Sequence, residues 1–178
     1  AWIAIAKLLH TAGASNIVIW DSQWIIHRHR DGLNEYKLQV AKYNINNQKW
    51  SIHDALVGAD VFVWVSQPGI INAQDIQNMN DQPIVFAMSN PNPEITNEEA
   101  TIWGAFIYGS GRSDLPNQIN NLLAFPGLLR WALDARIQNI TTDHKLAAAH
   151  ALANYISDPP TDKILPDPSD KGVATAVA

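Results

Sequence analysis

Short, nearly continuous apolar runs alternate along the chain with stretches of helical periodicity, and each run stops on a small or polar residue. Residues 16–21 (NIVIWD), 59–66 (ADVFVWVS), 84–90 (IVFAMSN) and 105–110 (AFIYGS) are β-branched and aromatic. Such uniform apolarity predicts parallel strands covered on both faces, rather than strands with one wet side. Between them the pattern predicts helices over 2–12, 33–42, 52–57, 72–79, 95–103, 118–136 and 142–157. Thr96 with Glu99 three residues on forms a capping-box sequence, and Thr141, Thr142 and Asp143 are candidate caps for the alanine-rich helix. Strands alternating with helices predict an α/β fold, a right-handed doubly wound parallel sheet.

Two features sharpen the boundaries. The opening AWIAIAKLLHTAGASNIVIWD reads as the helix and second strand of a dinucleotide-binding unit, with the first strand and glycine-rich turn missing. From Asp158 the composition shifts to DPPTDKILPDP, with four prolines in eleven residues. The chain therefore divides into a nucleotide-binding domain over 1–157, partial at its N-terminus, and a truncated proline-rich tail over 158–178. The tail is expected to be extended, resuming helix near Val173.

Composition narrows the class. The 178 residues carry a net charge of -5, which gives no footing for nucleic acid. No run approaches the roughly 20 apolar residues of a membrane span. With zero cysteines there is no disulfide framework, thiol nucleophile or thiolate metal site. The six histidines lack metal-ligand spacing, and no serine stands in a G-x-S-x-G context. These observations predict a soluble cytoplasmic protein.

In an open parallel sheet, ligands bind beyond the carboxyl ends of the strands. This chain places Asp21–Ser22, Ser66 with Gly69, Ser89–Asn90 and Ser110 there. Turn chemistry alone accounts for any one of these, but four polar turns on one edge point to a binding site. Asp21 is the most specific of them. It lies 19 residues after Trp2, where a carboxylate accepts hydrogen bonds from the adenosine ribose and repels a 2′-phosphate, favouring NAD over NADP. The HRHR run at 27–30 reads first as a solvated loop; a phosphate-binding role, which would reverse that preference, is the lesser alternative.

Residues 111–141 (GRSDLPNQINNLLAFPGLLRWALDARIQNIT) carry a far more specific signal. They resemble the GRSD-x-PNQ-x-NN…FPG-x-x-RGALD segment of the malic enzymes. DVFVWVSQPG at 60–69, FAMSNPNPE at 86–94, KLAAAHALAN at 145–154 and ILPDP at 164–168 resemble that family in the same order. The resemblance implies oxidative decarboxylation of L-malate to pyruvate and CO2, using NAD or NADP and Mg or Mn, by a homodimer. It assigns the substrate carboxylate to Asn90 and Asn121, with Asn120 adjacent, and the dinucleotide to Asp21, Ser22, Ser66, Gly69 and Asn90. Helix capping is the competing role for Asn120 and Asn121. The family's acid/base tyrosine and lysine and its metal carboxylates correspond to positions upstream of Ala1. No catalytic or metal-ligating residue is therefore expected here, and the chain alone is expected to be inactive. Two alternatives stand beside this reading: the cofactor domain of a related amino-acid dehydrogenase, and a non-catalytic nucleotide-binding or assembly module.

Six of the seven tryptophans depart from the resemblance, all but Trp103. Trp2, Trp24, Trp64 and Trp131 stand where the family has glycine, Trp50 where glycine is frequent, and Trp20 where a small residue is usual. An indole at Trp2 is expected to overpack the helix against the sheet, at about 1–3 kcal/mol per such site. Several such sites would exhaust a domain's stability, so the pattern predicts a source that reads UGA as glycine.

Overall fold

A computed structural model describes residues 1–47, 49, 51–66, 69–89 and 92–178. Asn90 and Trp50, both singled out above, lie outside the described residues. The sheet consists of β1 (Val61–Trp64), β2 (Ile84–Ala87) and β3 (Ile107–Ser110), all parallel, in the order β1-β2-β3. Val61 lies opposite Ile84, which lies opposite Ile107 in turn, so the three strands end level. Val85 and Ala87, on one face of the central strand, are wholly buried, whereas Ile84 and Phe86 on the other face are half-buried, so coverage is less even than the apolar runs predict.

The helices are α1 (Trp2–Thr11), α2 (Glu35–Ala41), α3 (Ile52–Leu56), α4 (Ala73–Gln77), α5 (Asn97–Ile102), α6 (Phe125–Asp134), α7 (Thr142–Ala153) and α8 (Lys171–Val177). Their starts are chemically specified. Reciprocal capping boxes open α3 at Ser51, α4 at Asn72, α5 at Thr96 and α7 at Thr141, while Asn34 and Asp170 cap α2 and α8. The expected helix over 118–136 is shorter. Asn120 caps a single 3-10 turn at Asn121–Leu123, and Pro126 then opens α6.

Three apolar clusters hold the molecule. One packs α3, α4 and α5 on the sheet through Leu56, Phe62, Ile76, Val85 and Tyr108. A second joins α1 and α2 through Ala6, Ile19, Ile26 and Val40. The third joins Leu123, Ala148, Val173 and Val177, so α8 docks on α6 and α7. Gly127 permits that docking: a Cβ there would lie 2.6 Å from the Ala174 carbonyl oxygen and 2.7 Å from Val177 Cβ.

Residues 16–21 differ from the expected strand. They form no ladder, and the Trp20–Ile25 bridge is their pairing. Between them and β1 runs a cavity of about 1130 Å³, walled by α1, residues 13–22 and the free edge of β1. A strand exists through its neighbour's hydrogen bonds, and here the cavity occupies the neighbour's place.

Candidate functional site

β1, β2 and β3 deliver Ser66, Ser89 and Ser110 to the same carboxyl edge of the sheet. Backbone and side-chain bonds then lash the first two loops together. The Ser89 hydroxyl lies between the Ser66 carbonyl oxygen, at 2.6 Å, and a carboxylate oxygen of buried Glu94. The Ser89 amide donates to the other Glu94 oxygen at 3.1 Å, and the Gly69 amide to the Glu94 carbonyl at 3.1 Å. Gly69 holds φ at 75°, a left-handed conformation that disfavours side chains. The loop leading into position 90 is thus rigidly based.

At the third strand end, the Ile119 amide donates to the Ser110 carbonyl at 2.7 Å, and Gln118 bridges Ser110 in parallel register. This extension carries Asn120 and Asn121 beyond the sheet edge. Asn120 is spent as a cap, its side-chain oxygen accepting from the Leu122 amide at 3.0 Å. Asn121 is exposed, and its side-chain amide has no hydrogen-bond partner among the described residues. Geometry therefore separates the two asparagines that the sequence left together.

Asn117, of the PNQ segment, plays a different part. It is buried with φ 53°; its amide nitrogen donates to the carbonyls of Tyr108 and Thr161, each at 2.8 Å, and its oxygen accepts from the Ile164 amide at 2.8 Å. It staples β3 to the proline-rich stretch. Sequence reading passed over it because its partners lie 44 and 47 residues away.

Asp21, Ser22 and Ser66 all face the cavity beside β1, and Lys37 of α2 joins them. Asp21 is half-buried, with its carboxylate held in a cage of donors. Its Oδ1 accepts from the amides of Gln23 at 2.9 Å and Trp24 at 3.2 Å and pairs with Arg30 Nη1 at 3.0 Å. Its Oδ2 accepts from Arg30 Nη2 at 3.0 Å and Lys37 Nζ at 2.6 Å. Burial raises the carboxyl pKa, but Arg30, Lys37 and the two amides outweigh it and hold the group far below the usual carboxylate range. Arg30, from the HRHR run, is committed inward, also donating to the Trp24 carbonyl and the Gln23 side chain, each at 2.8 Å.

The indoles sit more easily than expected. Trp24 is exposed, and Trp2 and Trp131 are half-buried, Trp2 at the cavity wall and Trp131 edge-on to His144. Trp64 is the strained case: it stacks on Phe62, but its Nε1 is buried with no acceptor. Among the described residues no three His, Cys, Asp or Glu side chains gather as a metal site, so Mg or Mn finds no fitting donor set there. No helix among them is long and apolar enough to cross a membrane.

A parallel sheet with polar turns along one carboxyl edge, an acidic residue at the 16–21 terminus and a large adjoining cavity defines a dinucleotide-binding α/β domain. Comparison with known proteins specifies it further. The family described as "Malic enzyme, NAD binding domain" matches residues 6–178, and the chain belongs to that family. It is 47% identical to the bifunctional malic/malolactic enzyme of Bacillus subtilis, over all of this chain and 44% of that protein. It is 44% identical to the NADP-dependent malic enzyme of Halomonas elongata, over 93% of the chain and 39% of that protein. The crystal structure of the NAD-dependent malic enzyme of Thermotoga maritima superposes with a TM-score of 0.92 at 39% identity, over 98% of this chain and 47% of that one. The chain thus spans less than half the length of each.

Proposed function

We propose that this chain is the cofactor-binding part, residues 1–157 with the 158–178 tail, of a homodimeric, cytoplasmic malic enzyme that converts L-malate to pyruvate and CO2. The observation that carries the proposal is the separation of two polar sets on one sheet edge. Asp21, Ser22 and Ser66 line the cavity at one end, and Asn121, whose side chain has no partner among the described residues, lies beyond β3 at the other. A dinucleotide laid across the strand ends would have its adenosine half at the cavity and its nicotinamide towards β2 and β3.

The described residues fit such a ligand, since Ser22 and Ser66 are exposed and the cavity has the volume for an adenosine moiety. NAD(P), when bound, supplies a hydride acceptor. The chain's own residues orient. Asn121 and Asn90 donate amide N–H groups to the malate carboxylate, fixing the substrate without adding a cation. Glu94 and Ser89, beyond the end of β2, brace each other and the Ser66 carbonyl, on the sheet edge from which the proposed substrate contacts are made. The acid/base groups and any metal ligands belong to the remainder of the enzyme.

Variants in the longer polypeptide test this. Asn121→Ala should raise KM for malate by about tenfold or more, the worth of a hydrogen bond to a charged group, with KM for the dinucleotide little changed. Asn120→Ala should lower stability instead, through the lost cap. Equal KM for malate in the Asn121 variant and the parent would defeat the assignment.

A further inference from the structure

We propose that Glu94 is held as the neutral acid in the folded protein, donating its hydrogen to Ser89, and that this uncharged clasp positions the loop after β1 against the loop after β2. The hydrogen at Glu94 follows from the geometry alone; its consequence for ligands rests on the dinucleotide-binding reading above.

Three oxygens lie in a row. The Ser89 hydroxyl is 2.6 Å from the Ser66 carbonyl oxygen and in closer contact still with Glu94 Oε1. A carbonyl oxygen can only accept, so the single hydroxyl hydrogen of Ser89 points at Ser66. The contact between Ser89 and Glu94 then needs a second hydrogen, and of these two groups only the Glu94 carboxyl can carry it. With Glu94 ionised, one of the two contacts would set lone pair against lone pair at a separation that belongs to O–H···O hydrogen bonds. The other carboxyl oxygen, Oε2, accepts from the Ser89 amide at 3.1 Å, as the carbonyl half of a neutral acid does.

The surroundings agree. Glu94 is 5% exposed, and among the described residues no Lys, Arg or His forms an ion pair with it. Asp21 is the contrast, since Arg30 and Lys37 pair with its carboxylate. A buried charge without a counter-charge is costly, which favours the neutral form at Glu94. The neutral form also suits its place. An anionic dinucleotide and a dicarboxylate would lie along this edge, and an uncharged clasp ties the loops without repelling them. The clasp is reinforced on both sides: the Gly69 amide donates to the Glu94 backbone carbonyl at 3.1 Å, and the Tyr108 hydroxyl donates to the Ile95 carbonyl at 2.9 Å. Glu94 thus acts on the strand-end loops through Ser89 and Ser66, as a positioning residue.

Infrared difference spectroscopy on the 178-residue chain reads the hydrogen directly. At neutral pH the folded protein should show the C=O stretch of a protonated carboxyl. Isotopic labelling of glutamate carboxyls should shift that band, and Glu94→Gln should remove it. Glutamine reproduces the neutral acid, its amide N–H donating to Ser89 and its oxygen accepting from the Ser89 amide. Glu94→Gln should therefore keep the parent's denaturation midpoint, whereas Glu94→Ala should lower it. In the longer polypeptide, Ser89→Ala and Glu94→Ala should each raise KM for the dinucleotide about fivefold, the worth of one hydrogen bond between neutral groups, and Glu94→Gln should rescue it. Absence of a glutamate band from the folded parent, or a glutamine variant that fails as the alanine variant does, overturns the neutral acid. A Ser89→Ala enzyme with the parent's KM overturns the positioning role. A longer polypeptide that binds no dinucleotide overturns the cofactor reading instead, and a glutamate band in the folded chain still supports the hydrogen at Glu94.

Discussion

Asp21 shows how far one residue's role depends on its surroundings. In sequence it is a strand-end carboxylate; in the structure it is the hub of a half-buried ion cluster that fixes the turn at 21–24 and anchors α2. Removing one member of such a cluster strands the others, so Asp21→Asn should cost roughly 3 kcal/mol in chemical denaturation at neutral pH. Because the folded pKa of Asp21 is depressed, its contribution is complete above the unfolded carboxyl pKa of about 4 and is lost as pH falls below that. The parent should therefore lose stability more steeply than Asp21→Asn below about pH 4. The tryptophans belong to the same scale. None of Trp2, Trp24, Trp64 and Trp131 has a left-handed φ, and Trp2, Trp24 and Trp131 have room, so only the acceptorless Trp64 indole speaks for glycine in the structure. The gene should carry UGA at all four positions, and sequencing that finds UGG at any of them rejects the misdecoding account.

At the scale of elements, two residues of the motif-rich segment at 111–141 are structural. Gly127 lets α6 approach α8 so closely that any Cβ meets backbone. Gly127→Ala should cost about 1–3 kcal/mol and raise amide exchange in α8 selectively, read by hydrogen-exchange mass spectrometry. Asn117 ties β3 to 161–164 through three bonds from a left-handed backbone; Asn117→Ala should lower stability by about 3 kcal/mol in denaturant unfolding. The local signals in the sequence were strong where structure is local. The capping boxes at Thr96 and Thr141, the apolar runs of β1, β2 and β3, and the helix starts follow from residues three or four apart. What the sequence did not disclose is non-local. Residues 16–21 have strand chemistry but no ladder, and the Asn117 staple and the commitment of Arg30 to Asp21 arise only once distant segments meet. The tail's helix began two residues before Val173, because Asp170 caps it.

For the whole molecule, three separate apolar clusters form, one of them on a sheet whose outer edge, at β1, adjoins a cavity of about 1130 Å³. That openness suits a domain that works as part of something larger, and the chain spans less than half of each malic enzyme compared with it. The polar turns that gather on one edge were legible in the sequence because strand ends are legible. Their division into a cavity set, with Asp21, Ser22 and Ser66, and the set beyond β3 proposed for the substrate, with Asn121, required the fold. The account's central claim is that this edge presents a nicotinamide to malate. Its most direct test is to express the longer polypeptide and follow NAD(P)H formation and CO2 release from L-malate with added divalent metal. The account predicts equimolar NAD(P)H, CO2 and pyruvate; dinucleotide binding with no malate-dependent reduction would contradict it.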